Sequence, residues 1–385
     1  MSTTGVSEQL GEWLIDFNAQ EPAEPWLQEI RGAAFSRFME LGFPTTHNEE
    51  WRFTNVAPIA RTNFRNVLPS ASAIPDAARK HLAQYAPLDH PFVALNTAFL
   101  NGVTIHQIPA GAIVGQPIEI NYEVADRPGP PAVHPRTLIL VGADAHCTFV
   151  ERYSGAGKYL TNAVTEIVCG DRAVVDHYRI QQESPDAFHI GVTQAKLGRS
   201  ANFSTHNISL GAALARFDTG AVLSEGTEAV INGLYIVGGS QHVDNHTVID
   251  HAMPHGTSHE LYKGILDGQA HAVFNGRIIV RPDAQKTDSK QTNKNLVLSD
   301  DAVIDTKPEL QIHADDVRCT HGATIGQLDA ESMFYLQSRG IGKSDARSLL
   351  TYAFAQDIVD RMKVQSLRDS LERSLFEKFH EHAQH

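Results

Sequence analysis

The chain has 385 residues, with 32 Lys plus Arg against 45 Asp plus Glu and a formal charge of −13. That acidic balance leaves no electrostatic footprint for nucleic acid or an anionic membrane, and neither is expected as a partner. The length suits two or three ordinary domains, or one elongated all-β body with a substantial core.

Three cysteines, Cys147, Cys169 and Cys319, stand far apart with no Cys-x-x-Cys. They indicate neither a disulfide framework nor a structural zinc site, and a reducing cytosol fits them best. Met1 to Ile15 has no basic stretch followed by an apolar run, and nowhere do eighteen apolar residues follow one another. The expectation is a soluble, cytoplasmic, untargeted protein.

In chain order, Gln9 to Phe17 and Pro25 to Leu41 carry apolar residues at helical spacing, with Pro25 suited to a first turn. Gly42-Phe43-Pro44 breaks the pattern. His47 to Asn55 reads as a packed loop in which Trp51 anchors and Arg52 pairs with a carboxylate. Residues 1–90 are therefore expected to form an N-terminal helical domain.

From Pro91 to about Leu310 the texture changes to short apolar runs separated by Gly, Asp, Asn and Pro. Phe92–Leu95, Thr137–Val141, Thr148–Tyr153, Ala163–Val168, Ala173–Ile180, Ala229–Val237, Val273–Val280 and Asn295–Leu298 read as strands. The Pro-rich Arg127–Pro131 reads as a loop or lid between two of them. Many short strands imply a sandwich, a barrel or a solenoid. Runs starting near Ala173, Gln194, Phe217, Ala229, Val248, Val273, Asn295 and Val317 recur at roughly 20 to 25 residues, about one solenoid coil. The period is irregular, so a parallel or mixed β-helix over 91–328 is the best of several options. Its open ends would need cover, which the flanking helices could supply.

Asp315 to Gly340 begins as a strand, with Val317, Cys319 and His321 on one face and Asp316, Arg318 and Thr320 on the other. The Cα atoms of Cys319 and His321 should then lie roughly 6.5 Å apart, near enough for both side chains to reach one iron or a small cluster. A buried thiol and a hydrogen-bonded imidazole are equally ordinary in a strand. Gly326 ends the alternation, and Asp329 can cap a helix bearing Met333, Phe334 and Leu336, which Gly340 and Gly342 stop. The tail, 329–385, is expected to be a helical domain. Leu349, Leu350, Ala353, Phe354, Ile358, Val359 and Met362 form one stripe; Leu367, Leu371, Leu375, Phe376 and Phe379 form another after a break near Val364. Such stripes are core first, but two helices cannot cover all these aromatics, which leaves a place for a partner.

Several motifs are discounted. Gly340-Ile341-Gly342-Lys343-Ser344 ends like a phosphate-binding loop, but the first glycine would fall at Gln337 and no strand leads into it, so no bound nucleotide is expected. His242, His246, His251, His255 and His259 crowd together, yet Pro254 and Gly256 forbid a single helix and there is no His-Glu-x-x-His, against a zinc hydrolase. A thiol hydrolase on Cys319 and His321 lacks an identifiable oxyanion loop. Cys147 and Cys169 read as buried thiols.

The runs Asp244-Asn245-His246-Thr247, Leu261-Tyr262-Lys263-Gly264, Val273–Arg277, Ala284–Asp288, Gln291-Thr292-Asn293, Asp305–Leu310 and Ala314–Val317 together resemble the core of the SufB/SufD family of iron–sulfur cluster assembly proteins. The resemblance continues through Cys319–Gly326 to Arg339-Gly340-Ile341. Gly322, Ile325–Asp329 and Glu49–Asn55 set the chain beside SufB rather than with it, as does the lack of a cysteine-rich N-terminal motif.

The resemblance implies a right-handed parallel β-helix flanked by helical domains, a non-catalytic scaffold subunit that pairs with SufB through strands near the C-terminal end of the helix. The tail helices would bind the ATPase SufC, two copies to each pair. The histidine matching His321 is implicated in holding a nascent, transient cluster at that interface, with a cysteine supplied by SufB. Cys319 is the weaker candidate ligand. Lys286, Asp288, Lys294 and Lys307 add charge near the interface strands or are solvated turn residues. An exposed solenoid end could also pair two copies of the chain. A purely structural docking partner with His321 merely packed, and a β-helical hydrolase or lyase, stay open as alternatives.

Overall fold

The structure is a computed structural model describing residues 12–69 and 72–381; Gln9 to Gly11 of the first expected helix lie outside them. The first strands are short: β1 (Arg65–Val67), β2 (Thr104–Ile108), β3 (Ile118–Val124), β4 (Pro131–Val133) and β5 (Arg136–Val141). Longer strands follow as β6 (His146–Gly155), β7 (Leu160–Cys169), β8 (Val174–Gln182), β9 (Phe188–Leu197), β10 (Asn202–Ser209), β11 (Leu214–Leu223) and β12 (Glu228–Val237). The last six are β13 (His242–His251), β14 (Thr257–Leu266), β15 (His271–Val280), β16 (Asp288–Val297), β17 (Val303–Ile312) and β18 (Arg318–Gly326).

From β6 onward, consecutive strands alternate between two sheets, and every pairing is parallel. The body is a parallel β-solenoid of about eight coils. Each coil holds two strands, so its length exceeds the spacing of the apolar runs. Leu214 pairs with Phe188 and His242, 26 and 28 residues away, whereas the runs suggested roughly 20 to 25. The sequence spacing mixed strand-to-strand with coil-to-coil distances.

One corner of the solenoid repeats a single device. Asp144, Arg172, Ser200, Gly226, His255 and Lys286 all adopt the left-handed conformation, φ between +56° and +65°. Each donates its backbone N–H to a carbonyl of the next coil, at Asp171, Arg199, Glu225, Pro254, Gln285 and Asp316, over 2.7–3.0 Å. This ladder fixes the register of successive coils at the place where the chain turns.

The helices are α1 (residues 12–18), α2 (Pro25–Leu41), single-turn α3 (Ala57–Ala60) and α4 (Asp76–Arg79), and α5 (Pro91–Ala98), then α6 (Ala330–Ser338), α7 (Lys343–Val359) and α8 (Gln365–Glu381). Phe92–Leu95, expected as a strand, lies in α5. Pro91 starts that helix, the His90 ring accepts the Val93 N–H, and all eight residues are buried, so no polar face reveals the helical period.

The terminal helices cover the faces of the sheets, and no described residue covers the C-terminal end of the solenoid. Phe35, Phe38, Phe43, Trp51 and Phe92 pack on the outer residues Leu160, Phe188, Ile190 and Leu214 of the first sheet. Ala355, Ile358, Met362, Leu367, Leu371 and Leu375 pack on Tyr178, Ile180, Ile208, Leu234 and Ile265 of the second. Parallel strands need both faces buried, and these outward apolar rows determine where the helices lie. Lys263 to Asp357 and Lys363 to Asp176 pin the hairpin of α7 and α8 at 3.0 and 2.8 Å.

Candidate functional site

The uncovered end is formed by β17 and β18, each the terminal strand of its sheet among the described residues. Burial falls away here: β16 still buries Ser289, Gln291, Asn293 and Asn295, whereas no residue of β18 is fully buried. In the parallel ladder Cys319 lies beside Ser289, His321 beside Gln291 and Ala323 beside Asn293. Cys319 and His321 therefore face the solenoid interior, and His321 is exposed because no further coil follows it.

The free edge can be assigned residue by residue. Arg318 donates to the Thr287 carbonyl, so the even-numbered residues of β18 bond to β16, and Cys319, His321, Ala323 and Ile325 turn their N–H and C=O groups outward. On β17, Val303 donates to Ala270, which puts Pro308 among the outward residues, where its missing N–H breaks no internal bond. Gly322 and Gly326 meet nothing a Cβ would touch, leaving the β18 edge unobstructed.

The two candidate ligands differ electrostatically. Cys319 is half-buried against the core, and burial, with Asp288 adding to it, raises its thiol pKa above the ordinary value. In this chain it is a protonated thiol at neutral pH, and thiolate is the form that binds metal. Among the described residues no three His, Cys, Asp or Glu side chains are arranged to hold a metal ion, so this edge supplies at most two of the donors that a metal needs.

The other histidines and cysteines separate. His242 lies 2.9 Å from Thr54 Oγ1, His246 pairs with Asp244 at 3.0 Å, and His251 meets Ser258 in the interior. Cys147 and Cys169 are buried, with burial pushing the Cys147 thiol up to about 12.

A second feature escaped the sequence reading. Trp51 does anchor its segment, but Arg52 stacks over Phe53 at 5.6 Å and, among the described residues, pairs with no carboxylate. The buried partner is Arg216, 3.7 Å over the Trp51 ring and paired with Asp218 and Asp244 at 2.9 Å each. Glu50 reaches Arg277 at 2.9 Å and Glu49 reaches Lys307 at 3.1 Å, tying the N-terminal segment to β15 and β17 beside a cavity of about 270 Å³. The His246 hydrogen bond, ahead of Arg277, holds the Glu50 carboxyl down at about 2. Of the flagged charges, Lys286 pairs with Asp316, while Asp288 and Lys294 point outward from β16.

A family model described as the SufBD core domain of SUF-system FeS cluster assembly matches residues 124–354, from β3 into α7. The chain belongs to the SufB/SufD family. It is 37% identical over 349 residues to the SufBD family protein slr0076 of Synechocystis sp., covering 85% of this chain and 77% of that one. It is 34% identical over 241 residues to the cluster assembly protein SufD of Escherichia coli, 62% of this chain and 57% of that one. With Bacillus subtilis SufD it shares 26% over 321 residues, 80% of this chain and 72% of that one. Membership of the SufB/SufD family gives the bare solenoid end its context: the chain acts in iron–sulfur cluster assembly. Among the described residues no helix is long and apolar enough to cross a membrane.

Proposed function

We propose that the chain is the SufD-type half of a non-catalytic SufB–SufD scaffold, and that β17 and β18 pair with the corresponding strands of SufB. The observation that carries this reading is the bare last coil, with a free edge strand and inward-facing residues that have no coil above them. An unprotected parallel edge of nine residues is a template for strand addition. The same edge joins a second copy of the chain when SufB is absent.

His321 presents an exposed imidazole to the nascent cluster, which is the cargo of this interface and passes on. Cys319, half-buried and protonated, is the lesser donor. Two donors do not complete a site, so SufB supplies the rest, including thiolate. The ATPase SufC docks on the helical tail, where Phe334, Tyr335, Leu349 and Phe376 are 48–71% exposed. Movement of SufC then pulls on α6 to α8 and opens the shared site. Free cysteines throughout suit a reducing cytoplasm.

The test is anaerobic cluster reconstitution with SufB and SufC, comparing wild type with His321→Ala and Cys319→Ala by absorbance and iron content. His321→Ala is expected to abolish cluster formation while the complex still assembles, and Cys319→Ala to reduce it less. Equal rates in all three would make His321 a packing residue and the chain a docking subunit only.

A further inference from the structure

The interior behind His321 holds an unusual column. Glu260 on β14 lies beside Gln291 on β16, and Gln291 lies beside His321 on β18, so the three stack one coil apart along the inner face of one sheet. Glu260 is 2% exposed and Gln291 1%. Gln291 Nε2 donates to Glu260 Oε2 at 2.6 Å. Its other heteroatom, Oε1, is buried without a partner among the described residues.

The amide is held from two sides. Glu260 draws its nitrogen toward the coil below. Gly276, on the facing strand β15, leaves the slot it occupies: a Cβ there would stand 2.2 Å from Nε2. The two heteroatoms of an amide point away from each other, so a nitrogen directed down the column directs the oxygen up it, toward the coil that carries His321. Neighbouring strands are about 4.8 Å apart, within reach of a hydrogen bond between stacked side chains.

Other buried carboxylates of the interior are compensated locally. Glu151 lies 3.3 Å from His177 and accepts from Thr165, and Glu183 has His189, Thr161 and Gln181. Glu260 has, among the described residues, no cation: its partners are neutral, the Gln291 amide and the Thr247 hydroxyl.

We propose that Gln291, anchored by Glu260 and seated against Gly276, is a positioning residue for His321: its Oε1 accepts the N–H of one imidazole nitrogen and leaves the other nitrogen, unprotonated, as the donor to iron. A metal-binding histidine needs one ring nitrogen free, and the hydrogen bond at the other decides which one. The proposal rests on the reading of His321 as a cluster ligand and supplies what that reading lacks, a reason for the ring to present a fixed nitrogen at an exposed edge.

The experiment reads the ring itself. The full chain is labelled with 15N-histidine, His321 is assigned by its absence in His321→Ala, and its tautomer ratio is compared with that of exposed His313. In wild type one tautomer of His321 dominates; in Gln291→Leu the ratio becomes that of His313. The exchange Glu260→Gln with Gln291→Glu keeps an acceptor oxygen below the ring and restores the wild-type ratio, which a merely structural role would not do. With SufB and SufC added, Gln291→Leu lowers the cluster formation rate about tenfold while SufB still binds. Should Gln291→Leu fail to fold, Gly276→Ala displaces the same amide and takes its place. A wild-type ratio already equal to that of His313, or one unmoved by Gln291→Leu or Gly276→Ala, overturns the proposal. Normal cluster formation in His321→Ala would remove the ligand reading instead, and the tautomer measurement would still decide the Gln291–His321 contact.

Discussion

Glu260 has a measurable consequence in the chain alone. Burial pushes its carboxyl up to about 7, so the folded state holds a proton that the unfolded chain releases near the ordinary carboxylate pKa of about 4.3. The associated stability is fully present below about pH 4 and is lost as pH rises through 7. Glu260→Gln keeps an acceptor for Gln291 and cannot ionise. Relative to wild type it should be neutral in urea unfolding near pH 4 and more stable by about 3 kcal/mol at pH 8.5. An equal difference at both pH values would mean that the carboxyl ionises freely in the folded chain. Arg216 illustrates the other way to keep charge inside, since Asp218 and Asp244 surround its guanidinium and the Trp51 ring covers it. No local pattern links Trp51 to an arginine 165 positions away; Arg52, expected to pair with a carboxylate, stacks over Phe53 and has no such pair among the described residues.

At the scale of the element, the β18 edge permits a clean separation of folding from pairing. Ala323 directs its N–H outward, and the preceding Gly322 has no Cβ to clash with a proline ring. Ala323→Pro should leave the urea midpoint of the isolated chain unchanged and abolish co-purification with SufB. Thr320→Pro, whose N–H bonds to β16, should instead destabilise the chain itself by about 1–3 kcal/mol. Retained SufB binding in Ala323→Pro would show that the partner docks elsewhere. This strand and the Asp329 cap of α6, which accepts the Ser332 N–H, were legible in sequence because both depend on neighbouring residues. The two-strand coil was not: its signal is the left-handed corner residue, and five of the six are not glycine. α5 was hidden for the opposite reason, since a helix buried on every side has no polar face to give its period.

For the whole molecule, the solenoid is a stack in which each coil contacts only its neighbours, so local stability should follow position along the axis. The middle coils from β9 to β13 have a coil on either side and helices over parts of both faces. The last has one neighbour and no cover on its interior-facing row. Amide hydrogen exchange of the isolated chain should therefore be slowest in β9 to β13 and fastest at the amides of Cys319, His321, Ala323 and Ile325, with Thr320 and Thr324 intermediate. Adding SufB should slow the four outward amides and leave the middle coils as they were, because the new strand completes a ladder without altering the old ones. Dilution separates the two occupants of this edge: protection present without SufB and lost on dilution comes from a second copy of the chain. Protection that survives dilution without SufB would mean that the chain covers its own edge, and the last coil would then be unable to serve as the shared face of the scaffold.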